Sequence, residues 1–265
     1  MSQTPEHHAG DRPAASETPD WAAFLLCGGL GTRLGPVTNR PKAVLEVAGW
    51  PFLRFHLELL EPAAPRRTVL LTGHGGDEVE RAFGPATDRR LFLREEEPLG
   101  TGGALARGKA LAADQNWIAN GDSFAEVDPG RVLALADAER GIVVAVRTAD
   151  RSDYGGLRIG GDGTILEFEE KGRTGEGWIN AGIYLLPRRM LADLPEGRSS
   201  LEREHLPRWA REGRLRAHPV EAFFLDIGTP ERLRRADHDF VPIRRRLEAA
   251  SRLRRAGGSG GSAAR

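Results

Sequence analysis

Apolar and polar residues alternate along this chain in short blocks. The first block, Ala22-Ala23-Phe24-Leu25-Leu26, is unbroken and ends in glycines, the pattern of a strand buried on both faces. Ordered structure is therefore expected from Trp21. A second short strand over Ala43 to Val47 is predicted after the Arg40-Pro41-Lys42 turn, and Pro51 then takes the first position of a helix. That helix carries Phe52, Phe55, Leu59 and Leu60 at helical spacing and reaches about Leu60. Strands over Thr68 to Thr72 and Arg90 to Arg94 bracket a short helix, Asp77 to Phe83. Next come a tightly packed helix over Thr101 to Ala112 and the strand Trp117-Ile118-Ala119, which leads into Asn120-Gly121-Asp122. A helix near Pro129 to Glu139 and the strand Ile142 to Val146 continue the βαβ rhythm. Such alternation predicts an α/β fold with a largely parallel sheet covered on both faces.

The pattern changes after Tyr154. Leu157 to Ile159 and Thr164 to Phe168 flank Gly160-Gly161-Asp162-Gly163, a hairpin signal, and this half is expected to form a lid or the substrate side. Strand Ile179 to Leu186, a helix from Ser199 or Ser200 to about Trp209, and strand Ala222 to Asp226 complete the expected core. Thr229 caps a helix with Pro230 at its first position and Leu233, Ala236 and Phe240 on one face.

Composition sets the limits of this plan. The 265 residues, 40% of them hydrophobic, suit one large domain, expected over residues 21–240. Residues 1–20 predict a disordered leader that lacks the basic start and apolar run of a signal peptide. Residues 241–265 predict an Arg-rich, solvated terminal helix and a flexible tail. Basic and acidic residues number 38 each, so no summed charge draws the chain to nucleic acid or a membrane surface. No apolar stretch approaches membrane-spanning length, and one cysteine, Cys27, allows no intrachain disulfide. A cytoplasmic protein is expected, with self-association left open.

Chemistry concentrates after the first strand. Gly28, Gly29 and Gly31 let the backbone turn sharply and aim several N–H groups at one anion, while Arg33 adds a planar cationic fork and Lys42 a point charge. Thr32 and Leu26 flank this cradle. The loop is neither a P-loop nor G-x-G-x-x-G. Gly28 to Lys42 resembles, over its whole length, the signature G-G-x-G-T-R-L-x-P-x-T-x-x-x-P-K of the sugar-1-phosphate nucleotidylyltransferases, with Cys27 where that family usually has alanine. The resemblance implies a three-layer α/β/α, Rossmann-like nucleotide-diphospho-sugar transferase fold with a mostly parallel mixed sheet. It also implies a reaction in which a sugar 1-phosphate attacks the α-phosphate of a nucleoside triphosphate in line and pyrophosphate leaves.

Two aspartates stand at strand ends, Asp122 after Asn120-Gly121 and Asp226 before Ile227-Gly228-Thr229. Ligands of open α/β sheets gather at such ends, where two carboxylates could share one Mg²⁺ with phosphate oxygens and water. The family resemblance gives these positions that metal role. It also implies that Arg33 steadies the departing pyrophosphate, that Lys42 contacts the phosphates, and that no general base is needed, so none of the seven histidines is assigned a catalytic part.

Glu170 and Lys171 resemble the family pair that holds sugar hydroxyls and the sugar phosphate. Asn180-Ala181-Gly182 resembles the segment lining the sugar pocket, Tyr154-Gly155-Gly156 a segment whose glycine admits the ring, and Gly121 joins the sugar side. The run Glu95-Glu96-Glu97-Pro98-Leu99-Gly100-Thr101-Gly102-Gly103 aligns with the base-recognition loop, with Glu95, Pro98, Gly100 and Thr101 as nucleotide contacts. A carboxylate at Glu95 accepts hydrogen bonds only, which suits the donors of guanine and favours GTP.

Together these segments look most like the D-glycero-α-D-manno-heptose 1-phosphate guanylyltransferases, covering about Ala22 to Phe240. Mannose-1-phosphate guanylyl-, thymidylyl- and uridylyltransferases remain open as alternatives, as does a regulatory protein that binds nucleotide or sugar phosphate without turnover.

Overall fold

The computed structural model describes residues 19–258, apart from positions 30, 32, 33, 36 and 37. The expected leader, save its last two positions, and residues 259–265 of the expected tail lie outside the described residues.

In chain order the first elements are β1 (Trp21–Leu26), β2 (Glu46–Val47), β3 (Trp50–Pro51), α1 (Phe52–Leu60), β4 (Thr68–Thr72), α2 (Gly76–Phe83) and β5 (Arg90–Arg94). Then come α3 (Gly100–Gly108), β6 (Gln115–Asn120), β7 (Ser123–Ala125), α4 (Pro129–Leu133), β8 (Gly141–Thr148), β9 (Gly156–Ile159), β10 (Ile165–Glu169) and β11 (Gly177–Pro187). The chain continues through α5 (Arg188–Ala192), a π-helical turn at Leu201–His205, α6 (Leu206–Arg211), β12 (Leu215–Val220), β13 (Phe224–Asp226), α7 (Pro230–Asp239) and α8 (Val241–Gly258).

β1 lies at the heart of the main sheet, parallel to β4 on one side and β6 on the other, so that Leu25 faces Leu70 and Ala119. β5 extends the β4 edge in parallel, and β11 pairs antiparallel with β6. The long β11 also carries β8 and β9, to which β12 and β10 are added. All strands of this mixed sheet run one way except β10 and β11.

Successive side chains of a strand point to opposite faces, and the core divides accordingly. Ala22 and Phe24 join Ile118, Tyr184 and Trp209 on the face covered by α3, α5 and α6. Trp21, Ala23 and Leu25 join Trp117, Leu53 and Val79 on the face covered by α1, α2 and α4. The three layers expected from the alternation are thus present. Each fully buried Phe or Leu stabilises this arrangement by roughly 1.5–3 kcal/mol before entropy is counted.

Local departures from expectation have local causes. The segment expected as a strand from Ala43 is first a 3-10 turn, Lys42–Val44, and only Glu46–Val47 pairs with β3. Ala48 and Gly49 between them both take positive φ, and Ala48 is clasped by Asp237 Oδ1 on its N–H and by Arg244 Nη1 on its carbonyl. Pro51, expected as the first helical residue, ends β3 with ψ 132°, and α1 starts one residue later. The helix expected near Pro129 to Glu139 stops at Leu133, because the Asp137 carboxylate captures the N–H groups of Glu139 and Arg140 in a turn. β7, α5 and β12 were not expected, and β13 is shorter than the predicted Ala222 to Asp226 strand.

The largest correction concerns the terminal helix. A third core cluster gathers Phe52, Phe55, Phe124 and Phe240 with Ile243 and Leu247 of α8, so α8 is docked rather than solvated. Residue 240 is no packing boundary: Phe240 stacks edge-on to Phe55 while Ile243, three positions on, is 1% exposed.

Candidate active site

The carboxyl ends of β1, β4 and β6 open into a cavity of about 310 Å³. Cys27 N–H bonds to Leu71 C=O and Gly121 N–H to Leu26 C=O, so the two chains leaving β1 and β6 stay side by side. Leu26, Gly28, Gly29, Lys42, Glu95, Pro98, Gly100, Thr101, Gly121 and Asp122 all line this space. Gly121, expected on the sugar side, lines this cavity. A Cβ at Gly28 would stand 2.6 Å from Glu95 Oε1 and 3.3 Å from Gly73 N, so a side chain there would push the Glu95 carboxylate aside. Gly31, with φ +63°, lies beyond the lining and turns the loop toward Leu34, whose N–H bonds to its carbonyl at 2.8 Å. Thr32 and Arg33 lie outside the described residues.

Lys42 Nζ donates to Asp122 Oδ2 at 2.8 Å, with the lysine side chain 12% exposed. Behind Asp122, the ring Nε2 of buried His56 bonds to Ser123 C=O at 2.7 Å. Burial pushes the His56 imidazole down to about 4, outweighing the upward pull of that hydrogen bond and of Asp122. His56 is therefore a neutral strut under the aspartate, its Nε2–H donating. Cys27 is buried beside the same loop, and burial, then Asp122, holds its thiol far up and unreactive.

Of the three consecutive glutamates, only Glu95 lines the cavity; Glu96 and Glu97 are exposed. Glu95 Oε2 accepts from Leu99 N–H at 3.0 Å, leaving Oε1 against Gly28 and Gly73. Burial raises its carboxyl, against the lowering effect of the Leu99 N–H and Arg107. Thr101 presents no free hydroxyl: its Oγ donates to Glu202 Oε2 at 2.5 Å and accepts from Leu201 N–H at 2.8 Å. Glu202 was missed by the sequence reading, though it stands in a Ser-Leu-Glu run at the start of the π-helical turn.

A wider cavity of about 1080 Å³ opens on the other side, lined among others by Tyr154, Lys171, Ile179, Thr229 and Arg232. Lys171 is exposed and has no ion pair among the described residues. Glu170 is exposed too and lines neither cavity; the glutamate drawn inward is its neighbour Glu169, held by Arg151 at 2.6 Å and Arg173 at 3.0 Å. Gly155 C=O accepts from Asn180 N–H at 3.0 Å, which places both at the β9–β11 junction, and neither residue lines either of the two cavities. β11 shifts register between Asn180 and Tyr184, where Gly182 takes φ +70°. A bulge of this kind re-aims side chains, and Asn180 turns its amide to Gly182 N–H and Tyr184 OH at 3.0 and 2.9 Å.

Asp226 stands beside the first aspartate because β13 pairs with β7: Asp226 is opposite Ser123, and Ile227 N–H bonds to Asp122 C=O at 2.9 Å. Its Oδ1 accepts from Gly228 N–H at 2.8 Å and its Oδ2 from Arg232 Nη1 at 2.6 Å. Burial first, then the Asp226 carboxylate, pushes the Tyr154 phenol up to about 12. Asp226 ends β13 and lines neither cavity, while Asp122 sits in the turn between β6 and β7 and lines the smaller one. Two neighbouring carboxylates are the right donors for a hard divalent cation, but among the described residues no third acid, His or Cys joins them. Each already carries a cation of the chain. The set fits Mg²⁺ only if substrate phosphates and water complete its shell.

The family model described as "Nucleotidyl transferase" matches residues 22–241. A D-glycero-alpha-D-manno-heptose 1-phosphate guanylyltransferase of Campylobacter jejuni is 31% identical over 216 residues, 79% of this chain and 95% of that protein. A mannose-1-phosphate guanylyltransferase of Mycobacterium tuberculosis is 33% identical over 231 residues, 83% of this chain but 64% of its own length. The crystal structure of HddC from Yersinia pseudotuberculosis superposes with a TM-score of 0.75 at 32% identity, covering 83% of this chain and 99% of that one. The same protein complexed with GMP-PN gives a TM-score of 0.74. Among the described residues no helix is long and apolar enough to cross a membrane.

Proposed function

This chain belongs to the nucleotidyl transferase family, and on that premise we propose that it joins D-glycero-α-D-manno-heptose 1-phosphate to GTP, giving a GDP-sugar and pyrophosphate. The observation that carries the reading is the cavity at the strand ends, lined by the Lys42–Asp122 pair and by Glu95. A triphosphate laid across Gly28 and Gly29 meets backbone that no Cβ obstructs, and its base reaches Glu95. There the carboxylate accepts from the N1–H and N2–H₂ groups of guanine, donors that a uracil or thymine edge does not offer in that arrangement.

The reaction asks for positioning and charge neutralisation rather than a covalent nucleophile. The attacking sugar phosphate is already an anion. Lys42 exchanges its Asp122 partner for phosphate oxygens as the nucleotide enters, and its charge then faces the reacting phosphorus. Lys171, exposed at the rim of the wider cavity, receives the sugar phosphate, and Asn180, fixed by Gly182 and Tyr184, offers its remaining amide hydrogen and lone pair to sugar hydroxyls. Arg33, from the sequence motif, attends the leaving pyrophosphate. Asp122 and Asp226 would hold Mg²⁺, which when bound neutralises phosphate charge.

The similarity to a mannose-1-phosphate guanylyltransferase supports a second reading, with mannose 1-phosphate as the acceptor. We place the protein in the cytoplasm, where its single free thiol stays reduced. Pyrophosphate release from GTP, UTP, dTTP and ATP, each against heptose, mannose and glucose 1-phosphates, tests all of this. GTP with the heptose phosphate is the expected pair, and a preference for UTP or dTTP would remove the Glu95 argument.

A further inference from the structure

Arg232 breaks a local rule. It occupies the third position of α7, whose Thr229 cap accepts from Arg232 N–H at 3.3 Å. A glutamate there would complete a capping box, and the positive end of the helix disfavours a cation. The side chain reaches back from the helix and makes three contacts instead. Nη1 meets Asp226 Oδ2 and Nη2 meets Asp153 Oδ2, both at 2.6 Å, while the guanidinium lies 4.7 Å from the centre of the Tyr154 ring. The Arg232 and Asp226 side chains are only 16% and 14% exposed, so their pairing is largely shielded from water.

We propose that Arg232 is a positioning residue that competes with a divalent cation for Asp226 and ties that carboxylate to the Asp153–Tyr154 side of the sugar cavity. The proposal rests on reading Asp226 as a metal ligand of the nucleotidyl transfer reaction. Asp226 Oδ1 accepts from Gly228 N–H and Oδ2 from Arg232, and although each oxygen keeps a second lone pair, the guanidinium charge on Oδ2 opposes a second cation at the same carboxylate. Arg232 itself lines the wider cavity, where the phosphate of an entering sugar offers it another anion. Binding of a sugar phosphate and access of the cation to Asp226 are thereby linked, and such a linkage is reciprocal.

The test is Mn²⁺ binding to the full chain without nucleotide, followed by the electron paramagnetic resonance of the free ion. Arg232→Met is expected to bind Mn²⁺ about tenfold more tightly than the wild type, because a competing cation has been removed. Adding Asp226→Asn to that variant should abolish the gain. Mannose 1-phosphate should tighten Mn²⁺ binding in the wild type and leave Arg232→Met unchanged. Arg232→Met with native circular dichroism and no gain in Mn²⁺ affinity overturns the proposal. Asp153→Asn, at a side chain 71% exposed, keeps the test alive should Arg232→Met misfold. It removes one of the two acids that hold Arg232, so it should lower the KM for the sugar phosphate, leave the KM for GTP alone and not tighten Mn²⁺ binding; tighter Mn²⁺ binding, or an unmoved or raised KM for the sugar phosphate, also overturns it. Failure of every substrate pair in the activity panel would remove the reaction while leaving the Mn²⁺ result to stand by itself.

Discussion

Lys42 and Asp122, eighty positions apart in the chain, meet as a 2.8 Å ion pair in the lining of the smaller cavity. Among the described residues neither has another ion-pair partner. Asp122→Asn leaves the shape of this pair and removes its charge, and Lys42→Met removes the cation. Either change should lower kcat by about 10²–10³-fold, the usual cost of losing one preorganised charge-stabilising group. Pyrophosphate release at saturating GTP measures this, with an unchanged melting temperature as the control. Turnover within a few-fold of wild type in Asp122→Asn would take the residue out of the site.

Glu95→Gln tests the base. A glutamine keeps the size and can still accept from Leu99 N–H, but it places an amide donor where two guanine donors must be met. The kcat/KM for GTP should fall on the order of tenfold to hundredfold, the range for losing a hydrogen bond to a charged group. That for UTP should hold or rise. Equal losses for both nucleotides would mean that Glu95 shapes the loop and does not read the base.

His56 gives a pH dependence with a definite sign. Its ring is held near 4 in the folded chain against 6.5 when unfolded, so the unfolded chain binds more protons between these values. The stability associated with neutral His56 is complete above 6.5 and is lost as pH falls toward 4, by up to about 3 kcal/mol. His56→Gln retains a donor for Ser123 C=O and cannot titrate. Urea unfolding at neutral pH and near pH 5 should show a smaller drop for this variant than for wild type, and an equal drop would assign the acid sensitivity elsewhere.

The docked terminal helix predicts a stability effect where the sequence suggested a dispensable tail. Truncation before Ile243 would uncover Phe240, Phe55 and Phe124, so the shortened chain should melt well below the full one or fail to fold. Leu247→Ala, which keeps the helix, should cost about 2–5 kcal/mol by cavity formation. Thermal melts of both decide the matter; a truncated chain with wild-type melting would show that the third core closes without α8.

Local order was legible in the sequence because it is written within a few residues. β4 and β5 have the bounds that their apolar runs predicted, Thr68–Thr72 and Arg90–Arg94, and the Thr229 cap with Pro230 begins α7 as read. The glycine run and Lys42 were marked by a long motif whose spacing leaves little freedom, and Asp122 by its place after Asn120-Gly121 at a strand end. β12 was not legible: His218 and Pro219 interrupt its apolar pattern, and only pairing in parallel with β8 makes it a strand. The docking of α8 was hidden for a similar reason, since Ile243 and Leu247 show a helical stripe but not what covers it.

The sequence by itself thus determined the alternation of elements, the glycine-rich motif from Gly28 to Lys42 and the family resemblance, all properties of neighbouring residues. Tertiary structure decided which of them meet: that Glu95 rather than Glu96 or Glu97 lines the cavity, that Glu169 rather than Glu170 turns inward, and that Asp226 is taken by Arg232. Periodicity fixes the face a side chain shows, whereas a partner far along the chain is fixed by strand pairing and by where each buried charge finds its counter-charge.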